Sequence, residues 1–88
     1  MKITEKIKEM IINFGAFGYD NKKMALVLGI NKADIDSEMN NKDSEFNTHY
    51  LRGKALGDYA IDLKLFELAR GGDIKALDKL TIRKRAYK

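Results

Sequence analysis

Apolar residues recur at every third or fourth position near the start of the chain, which is the spacing of one face of an amphipathic helix. The residues that carry this pattern are Ile3, Ile7, Met10, Ile11 and Phe14. The pattern predicts a first helix over 3–14. We expect Gly15 and Gly18 to end it, because glycine weakens a helix.

Two short helices are predicted next, over 21–28 and 32–39. Asp20 or Asn21 can cap the first of them by accepting backbone N–H bonds. Gly29 is expected to end that helix, because a left-handed backbone is favourable for glycine. Asn31 is the expected cap of the next helix.

A long helix is predicted over 45–70, with Asp43 or Ser44 as its cap. Its apolar residues do not keep to one face, and a helix that is apolar on several sides must be covered on several sides. We therefore expect a second copy of the chain to cover one of them. The candidate oligomerisation residues are Leu56, Tyr59, Leu63 and Phe66. Gly53 and Gly57 either permit a close helix approach or weaken the helix there.

A final short helix is predicted after Gly71 and Gly72, with Asp73 as its cap. Ile74, Leu77 and Leu80 are spaced by three, which favours a helical hairpin that folds back on the long helix. After these residues we expect a frayed basic tail. The predicted fold is all-α, with a helix-turn-helix bundle over 1–42 and an oligomerising hairpin with its basic tail over 43–88.

Charge is distributed unevenly along the 88 residues, whose net charge is +4. Residues 1–31 carry a net charge of +2, residues 32–47 carry −3, and residues 48–88 carry +5. A basic terminus is typical of proteins with a polyanion partner, and it is also common in solvated tails. No apolar stretch is long enough to span a membrane and no secretory leader is recognisable, so we expect a cytoplasmic protein without a membrane partner.

The chain offers little for catalysis or metal binding. His49 is the only histidine and there is no cysteine, so we expect no catalytic residue and no enzyme activity. The segment 34–45 places acids at several positions of a calcium loop. However, Met39 stands where that loop needs glycine, and Lys42 would repel the cation. We therefore expect neither a metal nor a cofactor.

The spacing of small and apolar residues over 24–39 is that of a helix-turn-helix, a motif whose second helix lies in the major groove of DNA. The positions that match are Ala25, Leu28, Gly29, Ile30 and Ile35. The second helix also carries Asp34, Asp36 and Glu38, which are unfavourable next to DNA phosphates.

Residues 20–82 resemble the phage terminase small subunit family. Its members often carry a helix-turn-helix, then a start to the long helix like D-P-E-F-x-x-x-Y-x-x-G-K, and then L-x-x-L-A-x-x-G-D-x-x-A-L-x-x-L. The matching residues are Asp43, Glu45, Phe46, Tyr50, Gly53 and Lys54, followed by Leu65, Leu68, Ala69, Gly72, Asp73, Ala76, Leu77 and Leu80. Ser44 replaces the usual proline.

The resemblance implies a protein of the host cytoplasm that recognises viral DNA, assembles as a ring and hands the DNA to a separate large subunit. The candidate DNA-binding residues are Lys22, Lys23, Lys32, Arg83, Lys84 and Arg85. A solvated surface would carry the same lysines. Two other functions fit the same pattern: a helical adaptor that binds proteins, and a small helix-turn-helix transcriptional regulator.

Overall fold

The computed structural model describes residues 1–87, which form five helices and no strand. The helices are α1 (Glu5–Phe17), α2 (Asn21–Leu28), α3 (Lys32–Asn40), α4 (Glu45–Arg70) and α5 (Ile74–Ala86). The prediction of an all-α protein is confirmed. The predicted bounds of the second helix and of the long helix agree with α2 and α4.

Helix α1 continues past Gly15, the first of the two glycines that were expected to end it, and is capped by the second, Gly18. Its first turn is capped by Thr4, whose Oγ1 accepts a hydrogen bond from the Ile7 N–H at 3.2 Å. It ends at Gly18, where φ is +72°. Gly15 lies inside the helix and is buried against α4. A side chain at this position would collide with the backbone of α4. The prediction that Gly15 breaks the helix is therefore wrong, and its small size serves a close approach.

Local capping signals set the bounds of α2 and α4. The Asp20 carboxylate accepts from the Lys23 N–H at 2.8 Å, and α2 ends at Gly29 with φ of +69°. Ser44 Oγ accepts from the Asn47 N–H at 3.1 Å at the start of α4. Asn31 stands at the cap position of α3, but its side chain makes no capping bond.

The chain divides into two compact units, Met1–Gly57 and Asp58–Lys88. The division falls inside α4, whereas the sequence placed a domain boundary at residues 42 and 43. The first half of α4 belongs to the first unit because Phe46 is fully buried in its core. Met24 and Ile35 are fully buried in the same core.

Glycines allow α1 and α4 to pack closely together in the first unit. A Cβ on Gly53 would overlap the backbone carbonyl of Ile12, and one on Gly57 would come within 3.0 Å of the Ala16 backbone. Of the two roles considered for Gly53 and Gly57, the structure shows the close helix approach. A larger residue at position 53 would force the two helices apart.

The second unit consists of the end of α4 and of α5, joined by a tight turn at Gly71 and Gly72. Asp73 caps α5, since its carboxylate accepts from the Ala76 N–H at 3.0 Å. Ala76 is the only buried residue among those described in this unit. The prediction of a frayed basic tail is wrong, because α5 remains helical up to Ala86.

Candidate nucleic-acid interface and assembly surface

Helices α2 and α3 pack tightly across a short turn. Ala25 and Ile35 are buried between them and the rest of the core, and the Ile30 N–H donates to the Ala25 carbonyl at 3.1 Å. The opposite side of α2 is exposed and carries Lys22 and Lys23. The Lys23 ammonium lies 4.3 Å from the centre of the Tyr19 ring, a cation–π contact.

The third lysine predicted near the motif is already paired. Lys32 Nζ lies 2.9 Å from Asp36 Oδ2 and 3.2 Å from Asp36 Oδ1. The same carboxylate accepts a hydrogen bond of 2.8 Å from the Asn21 side chain on α2. The bond from Asn21, and then the one from Lys32, lowers the pKa of Asp36 below its ordinary value. Asp36 therefore links α2 to α3 and neutralises Lys32.

The side of α3 farthest from the buried Ile35 is formed by Ala33, Ser37 and Asn40, and Lys32 and Asp34 are exposed beside it. Ala33, Ser37 and Asn40 are spaced by four and three positions, so they follow one another along one face of the helix. All three are uncharged. The two other acids of the helix, Asp34 and Glu38, line a shallow hollow together with Ser37 and Met1.

The basic end of α5 is tied to α4 by a network of charged and phenolic groups. Arg83 Nε donates to Asp62 Oδ1 at 2.5 Å, and Arg83 Nη2 lies 3.2 Å from Asp58 Oδ1. Tyr87 Oη accepts from Arg83 Nη2 at 2.8 Å and donates to Asp62 Oδ2 at 2.8 Å. Arg83 thus has two carboxylate partners. Lys84 and Arg85 are exposed, and the described residues contain no ion pair to either.

The network shifts the ionisation of its members. The hydrogen bond from Arg83 lowers the pKa of Asp62, and the bond to Asp62 raises the pKa of Arg83. Burial, and then the hydrogen bond to Asp62, raises the pKa of the Tyr87 phenol. The first two directions favour a charged Arg83–Asp62 pair at neutral pH, and the third favours a neutral phenol beside it.

An apolar groove runs along the second unit between α4 and α5. It is lined by Tyr59, Leu63, Phe66, Leu80, Asp62 and Lys84. The side chains of Tyr59, Leu63 and Phe66 are 57%, 43% and 48% exposed, so about half of the surface of each remains uncovered in this unit. Three of the four predicted oligomerisation residues therefore line one groove. Leu56 belongs to the first unit and is 47% exposed.

A second apolar surface lies on the other side of the same helix. Ile61 and Leu68 are 49% and 40% exposed. Each is two residues from a groove residue, and two residues correspond to about 200° of turn in a helix. The second unit thus carries apolar side chains on opposite sides of α4.

The residues considered for catalysis or metal binding are spread over different elements. His49 lines an open hollow with Thr4, Glu5, Asp43 and Glu45, at the starts of α1 and α4. The acids of the segment 34–45 do not form a loop, since most of them lie on α3. Within residues 1–87, no three His, Asp or Glu side chains are grouped so that they could hold a metal ion. None of the helices in this range is long and apolar enough to cross a membrane.

No family model, curated protein or solved structure matches this chain. Sequence reasoning missed the Asn21–Asp36 bond and the partners of Arg83. The sequence did contain one relevant signal: Lys32 and Asp36, and likewise Asp58 and Asp62, are four residues apart and therefore lie on the same side of their helix. This spacing does not show which residues of another helix pair with them.

Proposed function

We propose that this protein binds double-stranded DNA through α2 and α3, arranged as a helix-turn-helix, and assembles with copies of itself through the second unit. The observation that carries the proposal is the packing of α2 on α3. The buried residues Ala25 on α2 and Ile35 on α3 lie on the sides of these helices that face the core. Gly29, which has a left-handed backbone conformation, starts the turn between the two helices. In that motif the second helix enters the major groove, and here the residues of α3 farthest from the core, Ala33, Ser37 and Asn40, are uncharged, whereas Asp34 and Glu38 border them.

One of the three acidic charges of α3 is balanced within the protein, whereas Asp34 is exposed and has no ion pair among the described residues. The Asp36 charge is balanced by Lys32, and Ala33 and Ser37 form the outer face. Lys22 and Lys23 are exposed on α2 and can reach phosphates, which fix a protein on the duplex without reading its sequence. Lys84 and Arg85 supply a second contact of this kind on α5, whereas Arg83 is held by its two aspartates.

The apolar groove supports assembly with a second copy of the chain. Leu56, Tyr59, Leu63 and Phe66 follow one another at spacings of three and four, the spacing of a coiled-coil seam. Ile61 and Leu68 on the opposite side also need cover. Both surfaces are covered if the groove of one copy packs against the Ile61 and Leu68 surface of the next copy. Such a contact repeats around a ring or along a filament.

These two properties together are those of a phage terminase small subunit, which collects viral DNA and passes it to a separate large subunit. The proposal includes that large subunit as a partner and gives this chain no catalytic step. Many weak DNA contacts on one assembly gain through effective concentration, which offsets a small contact surface on each copy.

Salt-dependent binding to a fluorescent duplex tests the DNA contact. We expect binding at low salt that weakens steeply as salt rises, because each phosphate contact releases counterions. Replacing both Lys22 and Lys23 by alanine should lower the slope of log K against log salt by about 2. The matched control replaces Lys6 and Lys64, which are also exposed and carry the same charge. If the protein does not bind the duplex, or if replacing Lys22 and Lys23 does not change its binding, this interface is wrong.

Mixing two assembly-deficient variants tests the contact between copies. Phe66→Glu places a charge in the groove, and Leu68→Glu places one on the opposite side. Each variant alone should be a monomer by light scattering, and the mixture should form a dimer with one intact contact. If Leu68→Glu alone still dimerises, the groove pairs with itself. If the unmodified chain is a monomer at every concentration, the assembly proposal fails.

A helical adaptor is the second candidate, and the uncovered apolar groove favours it. The groove would then bind a helix of another protein, and the lysines of α2 would be a solvated surface. A chain that ignores duplex DNA at every salt concentration but whose groove variants lose a protein partner would have this function.

A further inference from the structure

Lys32 is the one candidate DNA contact on α3, and it is bound within the free protein. Its ammonium lies within 3.2 Å of both oxygens of Asp36. The pair is accessible, since the side chains of Lys32 and Asp36 are 56% and 37% exposed. A phosphate can therefore approach the ammonium, but it meets a carboxylate already in place.

The carboxylate of Asp36 is held there by a second helix. The Asn21 side chain on α2 donates to Asp36 Oδ1 at 2.8 Å. Asp36 is consequently restrained from both sides, by Lys32 on its own helix and by Asn21 on α2. These two hydrogen bonds favour the position of Asp36 beside Lys32, so an arriving phosphate competes with the Asp36 carboxylate for one cation.

We propose that Asp36 is an intramolecular competitor of DNA phosphate, which holds Lys32 and thereby limits the affinity of the α2–α3 surface for duplex DNA. The inference rests on the DNA-binding function proposed above. It assigns Asp36 a role in setting the affinity of that site. When DNA binds, a phosphate replaces the Asp36 carboxylate as the partner of Lys32. One ion pair is lost for each one gained, so Lys32 adds little to the affinity of the unmodified protein.

The test compares two substitutions that remove the same charge from the same helix. Asp36→Asn removes the competitor and keeps an amide oxygen that can accept from Asn21. Asp34→Asn is the matched control, because Asp34 is exposed and no described residue is paired with it. Both variants are titrated against the same labelled duplex at one low salt concentration. We expect Asp36→Asn to bind about two- to fivefold more tightly than Asp34→Asn, the range expected for release of an exposed ion pair.

The same pair of substitutions in a Lys32→Ala background shows whether the effect passes through Lys32. The additional gain from Asp36→Asn should disappear there, and the gain from Asp34→Asn should remain. With Lys32 present, Asp36→Asn should also steepen the salt dependence by up to about one phosphate contact. Equal gains from the two substitutions, or an additional gain that survives in the Lys32→Ala background, would overturn the proposal.

Two further measurements separate the remaining outcomes. Thermal melting of each variant establishes that α2 and α3 still pack, and Asp36→Ser replaces Asp36→Asn if the latter unfolds. If the unmodified protein and every variant fail to bind the duplex at low salt, the DNA-binding function itself fails. If the unmodified protein binds and Asp36→Asn or Asp36→Ser binds no more tightly than Asp34→Asn, only the role of Asp36 fails.

Discussion

The two compact units are built from the same kind of helix but are stabilised in different ways. The first unit has four fully buried large side chains, Ile11, Met24, Ile35 and Phe46, and a glycine contact between α1 and α4. The second has Ala76 as its one buried residue among those described, and it relies on the charged network around Arg83. A close-packed core specifies one structure by itself, whereas a two-helix unit with exposed apolar sides gains most from a partner.

The largest expected effect lies in the glycine contact of the first unit. Gly53→Ala should destabilise the fold by about 3 kcal/mol, because its Cβ would overlap the Ile12 backbone and the backbone cannot move aside cheaply. Chemical denaturation followed by circular dichroism measures the change. Gly71→Ala is the control, since the nearest atom to its Cβ is 3.4 Å away. A neutral Gly53→Ala would mean that α1 and α4 are not in close contact.

A smaller effect is expected when the network of the second unit is broken. Arg83→Ala should accelerate hydrogen exchange in α5 several-fold and leave the exchange of α1 unchanged. The reason is that Asp58 and Asp62 lose the cation that ties α5 to α4. Arg85→Ala is the matched control, because Arg85 lies in the same turn of the helix and is exposed. Equal exchange rates in the two variants would show that the network does not hold α5.

The smallest effect is a dependence of the second unit on pH. The pKa of Asp62 is lowered in the folded protein, so its stabilising contribution is present above the ordinary aspartate pKa. That contribution is lost as the pH falls through the lowered value, below about pH 4. Exchange in α5 should therefore rise relative to α1 over this acidic range, and Asp62→Asn should flatten the rise. A ratio of exchange in α5 to exchange in α1 that does not change between about pH 5 and pH 2 would contradict the assignment.

Features that depend on residues close together in the sequence were predicted correctly, and features that depend on contacts between distant helices were not. The starts of α2 and α5 were predictable because Asp20 and Asp73 accept hydrogen bonds from residues three positions ahead. The role of Gly15 was not, because the atoms that crowd it belong to Tyr50 and Lys54 on another helix. A local glycine signal then predicted a break where tertiary packing requires a small residue within a helix.

The candidate site shows the same limit. The lysines of α2 were identifiable by charge and spacing, and the structure finds Lys22 and Lys23 exposed. The helical order of the basic end of α5 was not predictable, because Arg83 is held by carboxylates 21 and 25 residues earlier. The link between Asn21 and Asp36 spans 15 residues and two helices. Such links depend on how helices cross, and a linear pattern does not contain that information.

The contact between Gly15 and the backbone of Tyr50 and Lys54 also has a consequence for the time course of synthesis. Almost forty residues separate α1 from the part of α4 that it packs against. At about 5–20 residues per second, roughly 2–8 s pass between the synthesis of these two segments. During that interval Ile11 and Phe14 have no α4 to cover them. A nascent chain of this protein should therefore be most prone to capture by chaperones just before residue 54 emerges.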